Sequence, residues 1–327
     1  MPTPVRRLIP TLLAIALSAS LASAQTPAER AAQAPLTEVI AVTPEVRTGR
    51  LPNGLEYYVR GNNGTPKGRA ELRLVVNAGS VLEDDDQRGL AHFVEHMAFN
   101  GTTNFPGQNI PAFIQSLGMR FGAHVNAHTG FDETVYQLQI PTENLNVVDR
   151  SMQIMEDWAH HVTFATDEIE KERGVVLEEW RLGLGAETRV RDQQMPVLLK
   201  GARYADRSPI GRPEILQNVS PARLKQFYAD WYRPDLMAVI AVGDFDPAIV
   251  ERMVVAHFAR IPARLTPRPR PLFTVPPHTD TLYSLVADRE ARGTTVSVFS
   301  VKPAADQRTV GNYRQQMAER LFSRLLS

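Results

Sequence analysis

Cysteine is absent from the 327 residues of the sequence. Its absence excludes a disulfide scaffold, an iron–sulfur cluster, a thiol nucleophile and a cysteine-ligated structural zinc. Any metal ion must therefore be held by histidine and carboxylate side chains. Net charge is absent as well, because 36 basic residues balance 36 acidic ones. The overall charge thus gives no reason to expect a nucleic acid or an anionic membrane as a partner.

Long apolar runs are scarce, and the run near the N-terminus is too short to cross a bilayer. It extends from Leu8 to Leu21, whereas a transmembrane helix needs about 20 apolar residues. Arg6 and Arg7 precede this run, and Ala22-Ser23-Ala24 follows it as a small-residue cleavage signal. This layout predicts a secretory signal peptide over residues 1–24. We therefore expect a periplasmic or secreted product without a membrane anchor after cleavage.

The rest of the chain has the composition of a folded protein, with 43% hydrophobic and 22% charged residues overall. Residues 25–46 are rich in Ala, Pro and Thr without periodicity, which predicts a linker. Six prolines within residues 262–277 break helical and strand periodicity and predict a second linker. The two linkers delimit a domain over residues 47–261 and the truncated start of a second domain over residues 278–327.

Hydrophobic spacing predicts an α+β fold in which an antiparallel-rich sheet is covered by helices. Strands are expected at 55–60, 71–76, 121–129, 134–141 and 237–242. Helices are expected at 90–99, 109–117, 145–161, 167–182, 221–232 and 248–260. After the second linker, 282–287 and 294–301 are predicted strands, and a helix begins near Val310. Because the truncated second domain is too short to close its own core, we expect an N-terminal fragment or a chain whose C-terminal end needs a partner.

The segment His92-Phe-Val-Glu95-His96 is the one local pattern that indicates a reaction. On a helix, His92 and His96 lie about 40° apart on one face, and Glu95 lies about 60° to the side of His92. A zinc hydrolase needs two neutral imidazoles on the ion and a carboxylate that takes a proton from the zinc-acidified water. The order of the three residues, His-x-x-Glu-His, is the reverse of the His-Glu-x-x-His order of the other known zinc helix. The alternative is an amphipathic helix with two surface histidines.

A third metal ligand must come from another segment, and the acidic helix over 167–182 offers candidates. Glu172 and Glu179 are seven residues apart, hence within about 20° on one face and about 10 Å apart along the axis. Only one of them can bind the ion directly, and the other then has an orienting role. Glu178 is rotated by about 100° from Glu179 and faces elsewhere. For all of these acids, a solvated helix face is the alternative.

Four separated stretches of the chain together match one family pattern. They are Gly89 to Thr102, Asn126 to Tyr136, Glu172 to Glu179, and Tyr232 to Asp246. In this order they resemble the inverted-motif zinc peptidases of the pitrilysin and insulinase family, which includes the mitochondrial processing peptidase. The second stretch resembles the family's Asn-Ala-x-Thr segment, and the fourth resembles the end of its first domain. The similarity extends from about residue 47 to the final residue.

The resemblance implies a zinc ion and a role for each of five residues. It implies that His92, His96 and Glu179 bind Zn²⁺. It further implies that Glu95 is the catalytic general base and that Glu172 supports catalysis at the same site.

The resemblance also implies a substrate site and a further part of the cleft. Asn126 and Ala127 lie on the strand where family members add a substrate peptide, in keeping with the tendency of an edge strand to template β-augmentation. His124 and His128 share a strand face with Asn126, and we interpret them as cleft or surface histidines in preference to further ligands. Related peptidases are repeated α+β domains that close as a clamshell. A missing C-terminal half or a homologous partner subunit would therefore complete the cleft.

The sequence thus favours a zinc-dependent endopeptidase that hydrolyses peptides or unfolded polypeptides with a metal-activated water. One alternative is a non-catalytic peptide-binding partner subunit of a two-chain peptidase, since fold does not fix function. The intact set of two histidines and two glutamates argues against it. A histidine-rich metal-storage protein is a third hypothesis, but it gives no reason for the acidic residue between the histidines.

Overall fold

The computed structural model describes residues 34–62, 64–302 and 306–326. The predicted signal peptide and the first part of the predicted N-terminal linker lie outside these described residues. Residues 42–302 form one unit, and the described residues 34–41 and 306–326 belong to a second. No helix in the described part of the chain has both the length and the apolar character that a membrane crossing requires.

A six-stranded sheet forms the centre of the larger unit, in the order β1-β2-β6-β3-β5-β4. The strands are β1 (Val46–Arg50), β2 (Glu56–Gly61), β3 (Arg69–Val76), β4 (Val125–Thr129), β5 (Thr134–Pro141) and β6 (Met237–Gly243). Neighbouring strands are antiparallel except for β2 and β6, which run parallel. β1 and β4 are the edges of this sheet.

Helices cover one face of the sheet. They are α1 (Leu90–Met97), α2 (Asn109–Ser116), α3 (Leu145–His160), α4 (Thr166–Leu182), α5 (Ala186–Leu198), α6 (Pro213–Asn218), α7 (Pro221–Trp231) and α8 (Pro247–Phe258). α1 packs against α7, α4 and β4, and α3 packs against α8 and β5. Alternate residues of β3 are buried, as expected for a sheet with one covered face. The predicted α+β architecture is confirmed.

The start of α1 depends on a glycine. Gly89 precedes the helix with φ of 104°, in the left-handed region that L side chains rarely adopt. A Cβ at this position would lie 2.9 Å from Leu216 Cδ2 and 3.0 Å from Gly211 Cα. The helix then buries Leu90, Phe93, Val94 and Met97 and leaves His92 and His96 half-buried. Burial of the apolar face therefore turns both histidines toward the surface of the domain.

Two strand predictions in the C-terminal part are wrong. Residues 282–287 and 294–301 are not in strands, although both carry β-branched and aromatic residues, which favour strands. Tyr283 and Leu285 are exposed, as are Val296 and Val298. A strand is stabilised by a neighbour that pairs with its backbone groups, and neither segment has such a partner among the described residues. The local sequence alone therefore gave the wrong secondary structure here.

Several element boundaries also differ from the sequence predictions. The strand predicted over 121–129 begins only at Val125, because the residues before it form a turn. Helices α5 and α6 and the strand β1 were not predicted. α6 is only one to two turns long, and α5 has no buried residue, so neither carries an apolar stripe that periodicity can detect.

The proline-rich segment 262–277 is part of the larger unit and is held against the rest of it by arginine contacts. Arg268 donates to the carboxylate of Asp84, with Nη2 2.6 Å from Oδ1. Arg270 Nε donates to the backbone oxygen of Asn77 at 2.7 Å. The segment is therefore packed against residues of the domain in which the sequence predicted the catalytic residues.

An ion-paired histidine joins α3 to α8. His257 Nδ1 lies 2.7 Å from Glu156 Oε2, and its Nε2 lies 3.1 Å from Asp149 Oδ1. The hydrogen bond to Glu156 raises the pKa of His257, burial opposes this rise, and Asp149 adds to it. A protonated His257 therefore stabilises the contact between the two helices.

The smaller unit contains the predicted C-terminal helix, α9 (Val310–Leu326). Its first turn pairs with part of the predicted N-terminal linker. Ile40 N donates to Arg308 O at 2.8 Å, and Val310 N donates to Glu38 O at 2.9 Å. This part of the predicted linker therefore makes specific backbone contacts.

Candidate metal centre

Helices α1 and α4 bring two imidazole nitrogens and one carboxylate oxygen close together. His92 Nε2 and His96 Nε2 are 3.2 Å apart. Glu179 Oε2 lies 3.4 Å from His96 Nε2 and 3.6 Å from His92 Nε2. In the described part of the chain, these three residues are the one group of His, Asp and Glu whose donor atoms all lie within 4.8 Å of one another.

The three donor atoms fit a zinc ion in both type and spacing. Zinc takes nitrogen and carboxylate ligands at about 2.0–2.1 Å in a tetrahedron, which separates the ligand atoms by roughly 3.3–3.4 Å. The three observed separations lie within about 0.2 Å of this range. Three protein ligands leave a fourth position, which is the arrangement of catalytic zinc sites.

The protonation of His92 suits a metal ligand. Burial, together with the nearby His96, lowers the pKa of His92 to about 3. The ring is therefore neutral at physiological pH, and only a neutral imidazole has a lone pair for a metal. Its Nδ1 is buried and has no hydrogen-bond partner among the described residues.

The second histidine is oriented by a carboxylate on α4. Glu172 Oε1 lies 2.7 Å from His96 Nδ1, and Asn100 Nδ2 donates to Glu172 Oε2 at 2.8 Å. Burial lowers the pKa of His96, but the hydrogen bond and charge of Glu172, with the charges of Glu95 and Glu179, raise it above its ordinary value. A carboxylate that accepts from Nδ1 fixes the tautomer that leaves Nε2 free for a metal.

Glu95 lies on α1 between the two histidines, and its side chain is buried against β4. Its Oε2 accepts a hydrogen bond from Thr129 Oγ1 at 2.5 Å. Burial raises the pKa of Glu95, while the bond from Thr129 and the charge of His96 oppose this rise. A carboxylate whose pKa is raised toward neutrality is suited to accept and return a proton.

These residues line one cleft of about 840 Å³. One wall of the cleft is the edge strand β4, through Asn126, Ala127, His128 and Thr129. Asn126 is exposed and Ala127 is half-buried. The N–H of Ala127 donates to the side-chain oxygen of Asn126 at 3.0 Å. This N–H therefore faces the open edge of the sheet and away from the paired strand β5.

The remaining candidates are not part of the metal-binding group. Glu178 pairs with Arg181 at 2.6 Å on the outer side of α4, as its rotation from Glu179 predicts. His124 Nδ1 accepts a hydrogen bond from the backbone N–H of Arg120 at 3.2 Å. His128 lines the cleft but is not in the group of close donor atoms.

Two residues of the site had no role in the sequence analysis. Asn100 is four residues after His96, so helical spacing could have placed it on the same side of the chain. Its Nδ2 also donates to His96 O at 3.1 Å. Thr129 is the threonine of the Asn-Ala-x-Thr segment that the resemblance singled out, but its contact with Glu95 had no signal, because it spans 34 residues of sequence.

Comparison with known proteins gives two family matches. Residues 58–189 match the model described as insulinase (peptidase family M16), and residues 218–326 match the model described as peptidase M16 inactive domain. The first match contains both helices that carry the candidate metal ligands. The second contains α7, β6, α8 and α9.

Curated relatives are named zinc proteases. The chain is 40% identical over 280 residues to a protein of Arabidopsis thaliana named "Zinc protease PQQL-like". This alignment covers 85% of this chain and 29% of that protein. It is 35% identical over 285 residues to a protein of Haemophilus influenzae named "Probable zinc protease PqqL". This alignment covers 87% of this chain and 31% of that protein. The chain thus spans about a third or less of the length of these relatives.

A solved structure shares the fold. The crystal structure of the first half of the periplasmic protease PqqL from Escherichia coli aligns with a TM-score of 0.68 at 38% identity. The alignment covers 73% of this chain and 50% of that one. The family matches, the relatives and this shared fold agree, and the chain belongs to the insulinase family of peptidases, peptidase family M16.

Proposed function

We propose that the chain is the zinc-binding catalytic part of an endopeptidase that hydrolyses peptides or unfolded polypeptides. The observation that carries this proposal is the group of His92, His96 and Glu179 with the buried carboxylate of Glu95 beside it. The zinc-protease names of the relatives support the same conclusion.

The proposed mechanism assigns one task to each side chain. His92, His96 and Glu179 hold the metal ion, and Glu172 keeps Nδ1 of His96 protonated so that Nε2 faces the ion. Zinc, when bound, polarises the scissile carbonyl and lowers the pKa of a water molecule to about 7. Glu95 takes the proton from the attacking water and delivers it to the leaving amine. No covalent intermediate with the protein is needed.

The proposed substrate site is the free edge of β4. An extended peptide that displaces the Asn126 side-chain oxygen gains the outward N–H of Ala127, and the exposed side chain of Asn126 is a further hydrogen-bonding partner beside the metal ligands. An edge strand of this kind can accept an added strand, whose backbone supplies the affinity. This mode favours substrates that are extended, hence peptides and unfolded chains.

We further propose that the protein acts in the periplasm or after secretion, and that the chain works with more polypeptide than it contains. The signal-peptide pattern of residues 1–24 supports the location, and the Escherichia coli relative is named a periplasmic protease. The chain covers 29% and 31% of its curated relatives. A C-terminal half or a homologous subunit would supply the rest of the cleft.

The test is cleavage of an unstructured peptide, followed by mass spectrometry, with the chain alone and with the C-terminal remainder added. We expect cleavage that a zinc chelator abolishes and added zinc restores, stronger when the remainder is present. Binding of the peptide without cleavage in both samples would overturn the proposal and favour the non-catalytic partner subunit.

A further inference from the structure

The end of the edge strand β4 is bonded to the carboxylate that we assign as the base. Thr129 is the last residue of β4, and its hydroxyl donates to Glu95 Oε2 at 2.5 Å. Among the described residues, this is the hydrogen bond that fixes the Glu95 carboxylate. We propose that Thr129 is a positioning residue that holds Glu95 in its reactive orientation and couples the peptide-binding strand to the base. The proposal rests on the proposed function of Glu95.

A single hydrogen bond to one oxygen is what this task requires. A carboxylate attached to a flexible side chain can rotate, and a bond at Oε2 removes that freedom while leaving Oε1 for the proton transfer. The bond is charge-assisted and short, and such bonds are about twice as strong as neutral ones. Because Glu95 is 8% exposed, water competes little for the same oxygen.

Thr129 itself is fixed by the turn that follows it. Gly130 O accepts from Ser80 N at 3.1 Å, and Phe131 O accepts from Val81 N at 2.9 Å. Gly79 packs so closely here that a Cβ would lie 2.4 Å from Gly130 O. The hydroxyl of Thr129 therefore projects from a backbone position that the chain segment 78–81 anchors.

The same segment anchors the helix that carries Glu95. It continues to Glu83, which is fully buried and whose Oε1 accepts from Ala91 N at 2.9 Å in the first turn of α1. The strand end and the helix start are thus tied to one short stretch of chain. Their separation is set by these backbone bonds and by the buried Glu83 side chain, and the side-chain rotation of Glu95 is the freedom that Thr129 removes.

The coupling follows from where the proposed peptide lies. Asn126 and Ala127 are two to three residues before Thr129 on the same strand. A peptide that pairs with this edge adds hydrogen bonds along β4 and so restrains the strand end. Binding of substrate and orientation of the base would then occur together.

The test compares Thr129→Val, which keeps the shape and removes the hydroxyl, with Thr129→Ser, which keeps the hydroxyl. For Thr129→Val we expect kcat on an unstructured peptide to fall by roughly 10- to 100-fold, the effect of losing one hydrogen bond to a charged group. KM and zinc content should stay within about twofold, and Thr129→Ser should recover kcat to within about threefold. Thr48→Val, an exposed threonine on the opposite edge strand β1, is the matched control and should equal the parent.

A second measurement is independent of activity. In crystal structures of the metal-free variants, the Glu95 carboxylate should keep its position in Thr129→Ser and leave it in Thr129→Val. Three results would each overturn the inference. They are an unchanged position of the Glu95 carboxylate in Thr129→Val, an unchanged kcat of Thr129→Val, and a kcat of Thr129→Ser as low as that of Thr129→Val. If the chain alone shows no measurable hydrolysis, the position of the Glu95 carboxylate in the two crystal structures decides whether Thr129 positions the base.

Glu95→Gln in the same assay separates this inference from the proposed function. If Glu95→Gln is inactive and Thr129→Val is fully active, Glu95 remains the base and the role of Thr129 is wrong. If Glu95→Gln is fully active with zinc retained, the assignment of the base is wrong and the role of Thr129 falls with it.

Discussion

Replacing Glu172 by Gln should weaken zinc binding although Glu172 is not one of the three close donor residues. The carboxylate uses both oxygens, one for His96 Nδ1 at 2.7 Å and the other for Asn100 Nδ2 at 2.8 Å. An amide has one acceptor and one donor group, so it can satisfy only one of these two donors. The variant therefore loses a hydrogen bond at a site where the side chain is 15% exposed.

The expected size of the effect follows from the bond that is lost. A hydrogen bond to a charged group contributes about 1.5–3 kcal/mol, which corresponds to roughly 10- to 100-fold in an equilibrium constant. Outer partners of metal-binding histidines show the same range, about 10- to 100-fold in metal affinity. We therefore expect the zinc Kd of Glu172→Gln to rise by roughly 10- to 100-fold.

The assay is competition between the metal-free protein and a chromophoric zinc chelator near neutral pH. Glu178→Gln is the matched control, because Glu178 lies on the same helix but pairs with Arg181 at the surface. Its zinc Kd should equal that of the parent. An unchanged Kd for Glu172→Gln, or an equal loss in both variants, would refute the argument that Glu172 orients His96.

Three further predictions concern the base, the proline-rich segment and the α3–α8 contact. Glu95→Gln should keep its zinc but lose peptide hydrolysis by at least about 10²-fold, because an amide cannot accept the proton; metal analysis and a peptide assay check both parts. A chain that ends at Ile261 should unfold with a free energy about 1 kcal/mol or more below that of a chain that ends at Pro277, because it loses the arginine hydrogen bonds of the proline-rich segment; denaturant titration measures the difference. The pKa of His257 is raised by its hydrogen bond to Glu156 on α3. The free energy that protonated His257 adds to folding is therefore fully present below the unfolded-state pKa of about 6.5 and is lost as the pH rises through the pKa of the folded state. The stability advantage of the parent over His257→Gln should therefore shrink between about pH 6 and pH 8.

Each of these three has an outcome that contradicts it. Full hydrolysis by zinc-loaded Glu95→Gln would assign the base to another carboxylate. Equal stability of the two shortened chains would show that the proline-rich segment adds nothing to the fold. A stability difference for His257→Gln that does not change with pH would show that the charge of this histidine is not what the contact needs.

Helical geometry predicted which residues of the site share a helix face, and the resemblance to the peptidase family implied which of them bind the metal. His92, Glu95 and His96 lie within five residues on α1, and Glu172 and Glu179 lie two turns apart on α4. For such residues, the spacing of 3.6 residues per turn fixes which side chains share a face. The contact between Glu95 and Thr129 depends instead on the sheet order, which puts β4 at the edge beside α1. Strand order is a long-range property that no local pattern contains.

The errors in the fold have a similar origin. The segments 282–287 and 294–301 carry residue types that favour strands, but a strand also needs a partner, and the local sequence does not show whether one is present. The proline-rich segment 262–277 was predicted as a linker because prolines interrupt both periodicities. Its arginines meet Asp84 and Asn77, which lie far away in sequence. Composition showed that the segment is irregular but not that it is packed.

The most direct test of the zinc site is anomalous diffraction from zinc-loaded crystals of the chain, recorded above and below the zinc absorption edge. We predict one peak at full occupancy, about 2.0–2.1 Å from His92 Nε2, His96 Nε2 and an oxygen of Glu179. A peak elsewhere in the molecule, or no peak near these three atoms at saturating zinc, would contradict the metal assignment on which the proposed mechanism depends.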